Sequence, residues 1–218
     1  MQRRQGRRAE GGANMNIDKL YEAQASFLMR YPDGFNDPAM ATIRKKHNVN
    51  KMVEFSREAL SKTNCQRPEA LADAMLKIVS RSSMVSRFEK PPFQRFIDGL
   101  DSDGKALLAK AMYDRIHGKK KQGFERLVDM LGPFKLAKWA VVSAAPFYYA
   151  PTREVFVKPN TVKGIIRLLE VEGLSSGSRP TWDFYQGYKK VLEAVRKEVE
   201  PSLAPNNAAL SGFLMMQL

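Results

Sequence analysis

Cysteine is all but missing from this chain of 218 residues: Cys65 stands alone, and one thiol cannot close an intramolecular disulfide. The fold must therefore rest on its own core, and the composition points to a reducing, cytoplasmic setting. Long apolar runs are missing as well. Nothing approaches the ~20 residues needed to span a bilayer, so no membrane partner is expected. The basic N-terminus leads into no apolar stretch and does not read as a secretory signal. Histidine is limited to His47 and His117, and no HExxH, CxxC or GxSxG pattern occurs. A zinc site would have to take most of its ligands from carboxylates. The 14 glycines form neither a Walker A loop nor a dinucleotide fingerprint, so no cofactor is predicted. No internal repeat is visible.

What is present is positive charge on an otherwise ordinary globular composition. Hydrophobic residues make up 44% and charged residues 27%, enough apolar surface for a core in a chain of this length. Thirty-six Lys and Arg against 23 Asp and Glu leave a formal net charge of +13. Such an excess favours anionic partners: DNA, RNA or an acidic protein surface. The first fourteen residues, MQRRQGRRAEGGAN, hold four of the arginines and no apolar periodicity, and are predicted to be a disordered basic leader. Glu10-Gly11-Gly12 can be encoded by a purine-rich stretch resembling a ribosome-binding site, with Met15 a short gap later. That spacing suggests Met15 as the natural start.

From Met15 onward the apolar spacing is helical. Asn16 or Asp18 can cap a helix reaching Met29, with Leu20, Ala23, Phe27 and Leu28 on one face. Tyr31-Pro32-Asp33-Gly34-Phe35 breaks it, and a second helix comes after Asp37-Pro38. Further helices are predicted near 50–63, 68–82, 103–117 and 122–131, with Pro68 as a start and Gly118 as a stop. Phe134 to Phe147 reads as a buried helix. Asn160 can cap another, whose Val162, Ile165, Ile166 and Leu169 keep i, i+3, i+4, i+7 spacing, and a last one spans about Thr181 to Val199. Arg153 to Lys158 is the best strand candidate, and it has no evident partner. Trp139 and Trp182 have apolar neighbours at helical spacing and belong in the core. The expectation is an all-α fold with at most a minimal strand pair, in one multi-helix domain over residues 15–218.

Candidate chemistry concentrates in three places. Glu89 lies beside Arg81 and Arg87 and ahead of the rigid Pro91-Pro92; it reads as a structural ion pair, or as a general acid or base in a carboxylate-dependent hydrolase or lyase. Lys119, Lys120 and Lys121 come after a helix stop, where lysines complement the helix dipole or meet a phosphate backbone. More cations lie downstream at Lys135, Lys138, Arg153, Lys158, Lys163 and Arg167, with Phe147-Tyr148-Tyr149 among them as rings that can stack on bases.

These segments carry two resemblances. Leu131-Gly132-Pro133-Phe134 with Ala137, then Val155-Phe156-Val157-Lys158-Pro159-Asn160-Thr161-Val162, is similar to the helix-hairpin-helix region of DNA glycosylases. The resemblance implies that backbone N–H groups at Gly132 hold a DNA phosphate. Phe134 replaces the family's second glycine, and no acid occupies Lys158 to Asn160, where the catalytic aspartate would fall. Tyr31-Pro32-Asp33-Gly34-Phe35, Ser80-Arg81, Phe88-Glu89-Lys90, Val155-Phe156-Val157-Lys158-Pro159 and Arg179-Pro180-Thr181-Trp182 together resemble a family of uncharacterised bacterial proteins, which implies one integral domain. The predicted function is nucleic-acid binding on a glycosylase-like helical scaffold without catalytic groups. Its contacts would be Lys119, Lys120, Lys121, Gly132, Lys135, Lys138, Arg153, Lys158, Lys163 and Arg167. A carboxylate-dependent enzyme and an interaction module for an acidic protein are the alternatives.

Overall fold

A computed structural model of the chain describes residues 14–175 and 177–218. The described residues form eleven α-helices: α1 (Ile17–Arg30), α2 (Ala41–His47), α3 (Val49–Ala59), α4 (Pro68–Arg81), α5 (Lys90–Asp98), α6 (Ser102–His117), α7 (Lys120–Leu131), α8 (Trp139–Tyr149), α9 (Pro159–Leu168), α10 (Trp182–Glu198) and α11 (Asn207–Met215). Short 3-10 turns join several of them, and the fold is all-α. No strand occurs among the described residues. The nearest approach to sheet pairing is two backbone bonds, Asn16 N–H to Leu169 O at 2.7 Å and Glu172 N–H to Asn14 O at 3.0 Å. The predicted leader, residues 1–14, falls outside the described residues except for Asn14, whose amide also bonds the Glu172 carboxylate.

Local signals in the sequence set most helix ends. Asn16 Oδ1 accepts the Lys19 N–H at 3.2 Å and starts α1. Asp101 does the same for Gly104 at 2.8 Å and starts α6, which Gly118 ends. Pro68 occupies the first turn of α4, where its missing N–H has no intrahelical role. Four readings change. Pro91-Pro92, read only as rigid, lies in the first turn of α5, for the same reason as Pro68. Asn160 lies inside α9 and Lys158 takes the cap position, because Pro159 fits the first helical residue. The chain after Pro201 turns back into α11, capped by Asn206, whose side chain accepts the Ala209 N–H at 2.9 Å. Residues 153–158 do not pair as a strand; Glu154, Val155, Phe156 and Val157 are all buried, so the segment lacks the alternation of a sheet edge.

The chain packs as two compact units. The mid-chain unit comprises residues 45–156 and 177–182, and the flanking unit comprises 14–44, 157–175 and 183–218 among the described residues. In the mid-chain unit, α6 and α7 form an antiparallel hairpin with a two-residue link. A Cβ on Gly123 would fall 2.2 Å from Arg115 N and 2.6 Å from Ala111 O, so glycine there is what lets the two backbones approach. Leu71, Met75 and Ile78 of α4, Leu108 and Met112 of α6, and Phe124 and Leu127 of α7 supply its core. α8 is apolar on nearly every face and buried accordingly. Its Trp139 is 3% exposed, while Trp182 is only half-buried.

In the flanking unit, Phe27 of α1 meets Tyr31, Phe35 and Phe213 with ring centroids 5.0–5.5 Å apart. Tyr185, Tyr188 and Leu192 of α10 and Val162 and Ile165 of α9 complete that core. Gly34, at φ +59°, lies close against Ser202, where a side chain would both strain the backbone and overlap.

Candidate nucleic-acid interface

Positive charge is not shared between the units. The mid-chain unit holds 22 Lys and Arg against 12 Asp and Glu, a formal +10. The described residues of the flanking unit hold ten of each. Apart from the leader, the whole net charge of the chain lies on residues 45–156 and 177–182. Self-repulsion of that size works against folding and raises attraction for anions.

Some of this charge is structural. Arg115 is 1% exposed and donates to Glu154 at 2.8 Å, with its guanidinium 5.4 Å from the Trp182 ring. Lys120 approaches the other oxygen of Glu154 at 3.5 Å. Beside them Asp114 is buried and accepts from Lys110 at 3.0 Å and Arg126 at 2.9 Å. Burial opposes ionisation of Asp114, yet the two cationic donors hold its carboxyl below the ordinary range. The segment read as a strand is thus anchored by a carboxylate turned inward onto α6.

The predicted contacts divide between the units. Lys119, Lys120, Lys121, Gly132, Lys135, Lys138 and Arg153 belong to the mid-chain unit, and Lys158, Lys163 and Arg167 to the flanking unit. Lys119 to Lys121 do not form a loop at a helix C-terminus. They stand at the start of α7, where the dipole disfavours cations by about 0.3–1 kcal/mol. Lys120 is offset by Glu154, and Lys121 pairs loosely with Glu125 at 3.8 Å. Lys119, Lys135, Lys138 and Arg153 are exposed and make no ion pair among the described residues. Lys135 and Lys138 lie past the other end of α7, about 17 Å away by helix rise. Lys163 and Arg167 line a cleft of the flanking unit with Asn160, Gly164 and Gln217.

Gly132 cannot serve as the hairpin resemblance implies. It is in right-handed helical backbone, and its N–H donates to Val128 O, which leaves no amide for phosphate. The left-handed residue is Lys135, at φ +57°. Phe147 and Tyr148 are fully buried, and half-buried Tyr149 packs on His117, so this triplet is core rather than a stacking surface. His117 Nε2 donates to Leu60 O at 2.7 Å, a structural bond.

Rings do reach solvent elsewhere. Phe88 is 74% exposed and Phe134 is 55% exposed. The Arg87 guanidinium lies 4.9 Å from the Phe88 ring, and the Arg81 guanidinium 5.4 Å from that of Phe55. His47 bonds Ser83 at 2.9 Å, which brings the end of α2, with Lys45 and Lys46, to the same loop. Glu89 makes no ion pair with Arg81 or Arg87: both guanidinium groups lie over rings, and Glu89 Oε2 is buried without a hydrogen-bond partner among the described residues. The sequence signal for Phe88 is its setting, a large apolar residue between two charges ahead of a diproline, outside any helical period. No family model matches the chain, and neither a curated protein nor a solved structure does.

Proposed function

We propose that the chain binds nucleic acid through phosphate contacts made by its mid-chain unit, without excising bases. The concentration of +10 on that unit, against balance on the other, carries the reading. Cations at the start of α7 gain nothing from the helix dipole, and Lys119, Lys135, Lys138 and Arg153 have no carboxylate to neutralise them among the described residues. An anion brought to them relieves repulsion and releases counterions. No acid stands at Lys158 to Asn160 to attack a glycosidic carbon.

The test is fluorescence anisotropy of labelled duplex DNA, single-stranded DNA and RNA between about 50 and 200 mM salt. With about five phosphates contacted, log K on duplex falls with log salt at a slope of about −4 to −5. Lys119→Ala with Lys121→Ala flattens that slope by about two units. The pair Lys163→Ala and Arg167→Ala, in the balanced unit, changes it less. Binding no tighter than millimolar at the lowest salt, for every probe, overturns the reading. Equal displacement by polyglutamate transfers it to an acidic protein partner.

One observation favours a second reading, a carboxylate-dependent hydrolase or lyase: the unpartnered Glu89 oxygen. Strand scission or base release that disappears in Glu89→Gln, with binding retained, would establish it.

A further inference from the structure

We infer that the mid-chain unit takes single strands, with Phe88 and Phe134 as platforms on which bases stack; this rests on the nucleic-acid reading above. A phenylalanine that is 74% exposed contributes little to folding, and the one at 55% meets Phe96 edge-on, 5.1 Å between centroids. Apolar neighbours would mark a protein-docking patch. Along the chain, the exposed residues next to Phe88 are instead Ser83, Ser86, Arg87 and Pro91, of which only the proline is apolar. Lys135 and Lys138 come just after Phe134, both exposed. A ring beside unneutralised cations suits a base on the ring and its phosphate on the cation.

Both rings stand on loops that are already ordered. Ser82 Oγ accepts the N–H groups of Met84 and Val85 at 3.2 and 3.3 Å, and it bonds the buried Tyr148 hydroxyl at 2.9 Å. Ser86 Oγ accepts the Phe88 N–H at 3.3 Å. At the second ring, Lys135 N–H donates to Gly132 O and Leu136 N–H to Leu131 O, each at 3.0 Å. Display on a fixed loop lowers the ordering cost of binding. α5 joins the two: Phe88 precedes it, and its Phe96 touches Phe134. Phe88 lies two residues before α5, and the helix rises about 9 Å from Lys90 to Phe96, a span that about three stacked nucleotides cover. A duplex keeps its base faces inside the helix and cannot use these rings.

The experiment compares fluorescein-labelled oligo(dT) and oligo(rU) of about twelve nucleotides with a duplex of equal length, a span within the site sizes of single-strand binders. Phe88→Leu and Phe134→Leu keep apolar bulk and remove the aromatic face. Each is expected to weaken single-strand binding about ten-fold, leaving the duplex affinity and the salt slope unchanged, because phosphate contacts remain. Phe88→Trp restores binding to the wild-type level or above. An unchanged thermal midpoint of Phe88→Leu shows that the loss is not unfolding, and for Phe134, which touches Phe96, the duplex affinity is the internal control. Wild-type single-strand affinity in both Leu variants, with duplex binding intact, overturns this inference and spares the broader reading. Absence of binding to all three probes overturns both.

Discussion

The mid-chain and flanking units solve the same packing problem with different interiors. The flanking unit buries neutral groups: the rings around Phe27, and a hydroxyl pair in which Tyr188 and Ser211 lie 2.9 Å apart. The mid-chain unit buries ions, with Arg115 against Glu154 and Asp114 between Lys110 and Arg126. It carries ten more cations than anions, while the other balances. Neutral cores give stability at little risk, whereas a buried ion is tolerable only while its partner is present. A unit that holds inward-facing carboxylates and still keeps so large an excess is organised around cations. Some of these are fixed by the carboxylates, and others are exposed with no carboxylate beside them among the described residues.

The sharpest way to break this contrast is to remove one member of each buried pair. Glu154→Ala removes the carboxylate that faces the buried Arg115, and is expected to destabilise the protein by about 3–5 kcal/mol. Tyr188→Phe removes one neutral bond and is expected to cost about 1 kcal/mol, since Ser211 Oγ keeps its bond to Asn207 O at 2.9 Å. Urea midpoints measure both. Equal losses would dissolve the distinction between the two interiors.

Glycines give a second comparison. A methyl at Gly123 meets backbone atoms of α6, which cannot yield without moving a helix. Gly123→Ala is therefore expected to lower stability by about 1–3 kcal/mol. At Gly164 in the flanking unit the obstacle is the Leu218 side chain, which is 62% exposed and free to turn away. Gly164→Ala is expected to be neutral or slightly stabilising, and thermal melts of the two variants measure both effects.

The last effect is in alkaline solution. Burial pushes the Cys65 thiol, in the mid-chain unit, up to about 11. The folded thiol then keeps a proton that the unfolded one has lost, so folding is favoured less as pH rises. The loss begins above the unfolded value of about 8.5 and levels off near the folded one. Urea titrations at about pH 8 and about pH 11, on either side of that window, should show a smaller alkaline loss in Cys65→Ala than in the wild type. Identical losses would mean that the thiol is not held in an apolar site.

Most of the helical scaffold is legible in local chemistry. Pro68, Asn16 and Gly118 act within a few residues of themselves, and the period of Val162, Ile165 and Leu169 already marks the inward face of α9. The diproline at 91–92 is ambiguous, because proline both stiffens loops and starts helices; burial of Phe93, Phe96 and Ile97 decides for the helix. The interface is legible as a charge excess but not as a place. Lys119 to Lys121 stand out in the sequence, but at the wrong helix end, and Gly132 stands out although its N–H is already bonded to Val128. Phe147 and Tyr148 read either as rings that stack on bases, because cations flank them in sequence, or as core beside an apolar helix, and α8 buries them.

By itself, then, the sequence determined the all-α class, the main helix limits and the basic character, because caps, breakers and periodicity are short-range and charge is a sum. The tertiary structure alone decided which cations are neutralised, which rings face water, and that the net charge falls on one unit. Pairs such as Arg115 with Glu154 join residues 39 positions apart, and a separation of that kind leaves no mark in local spacing.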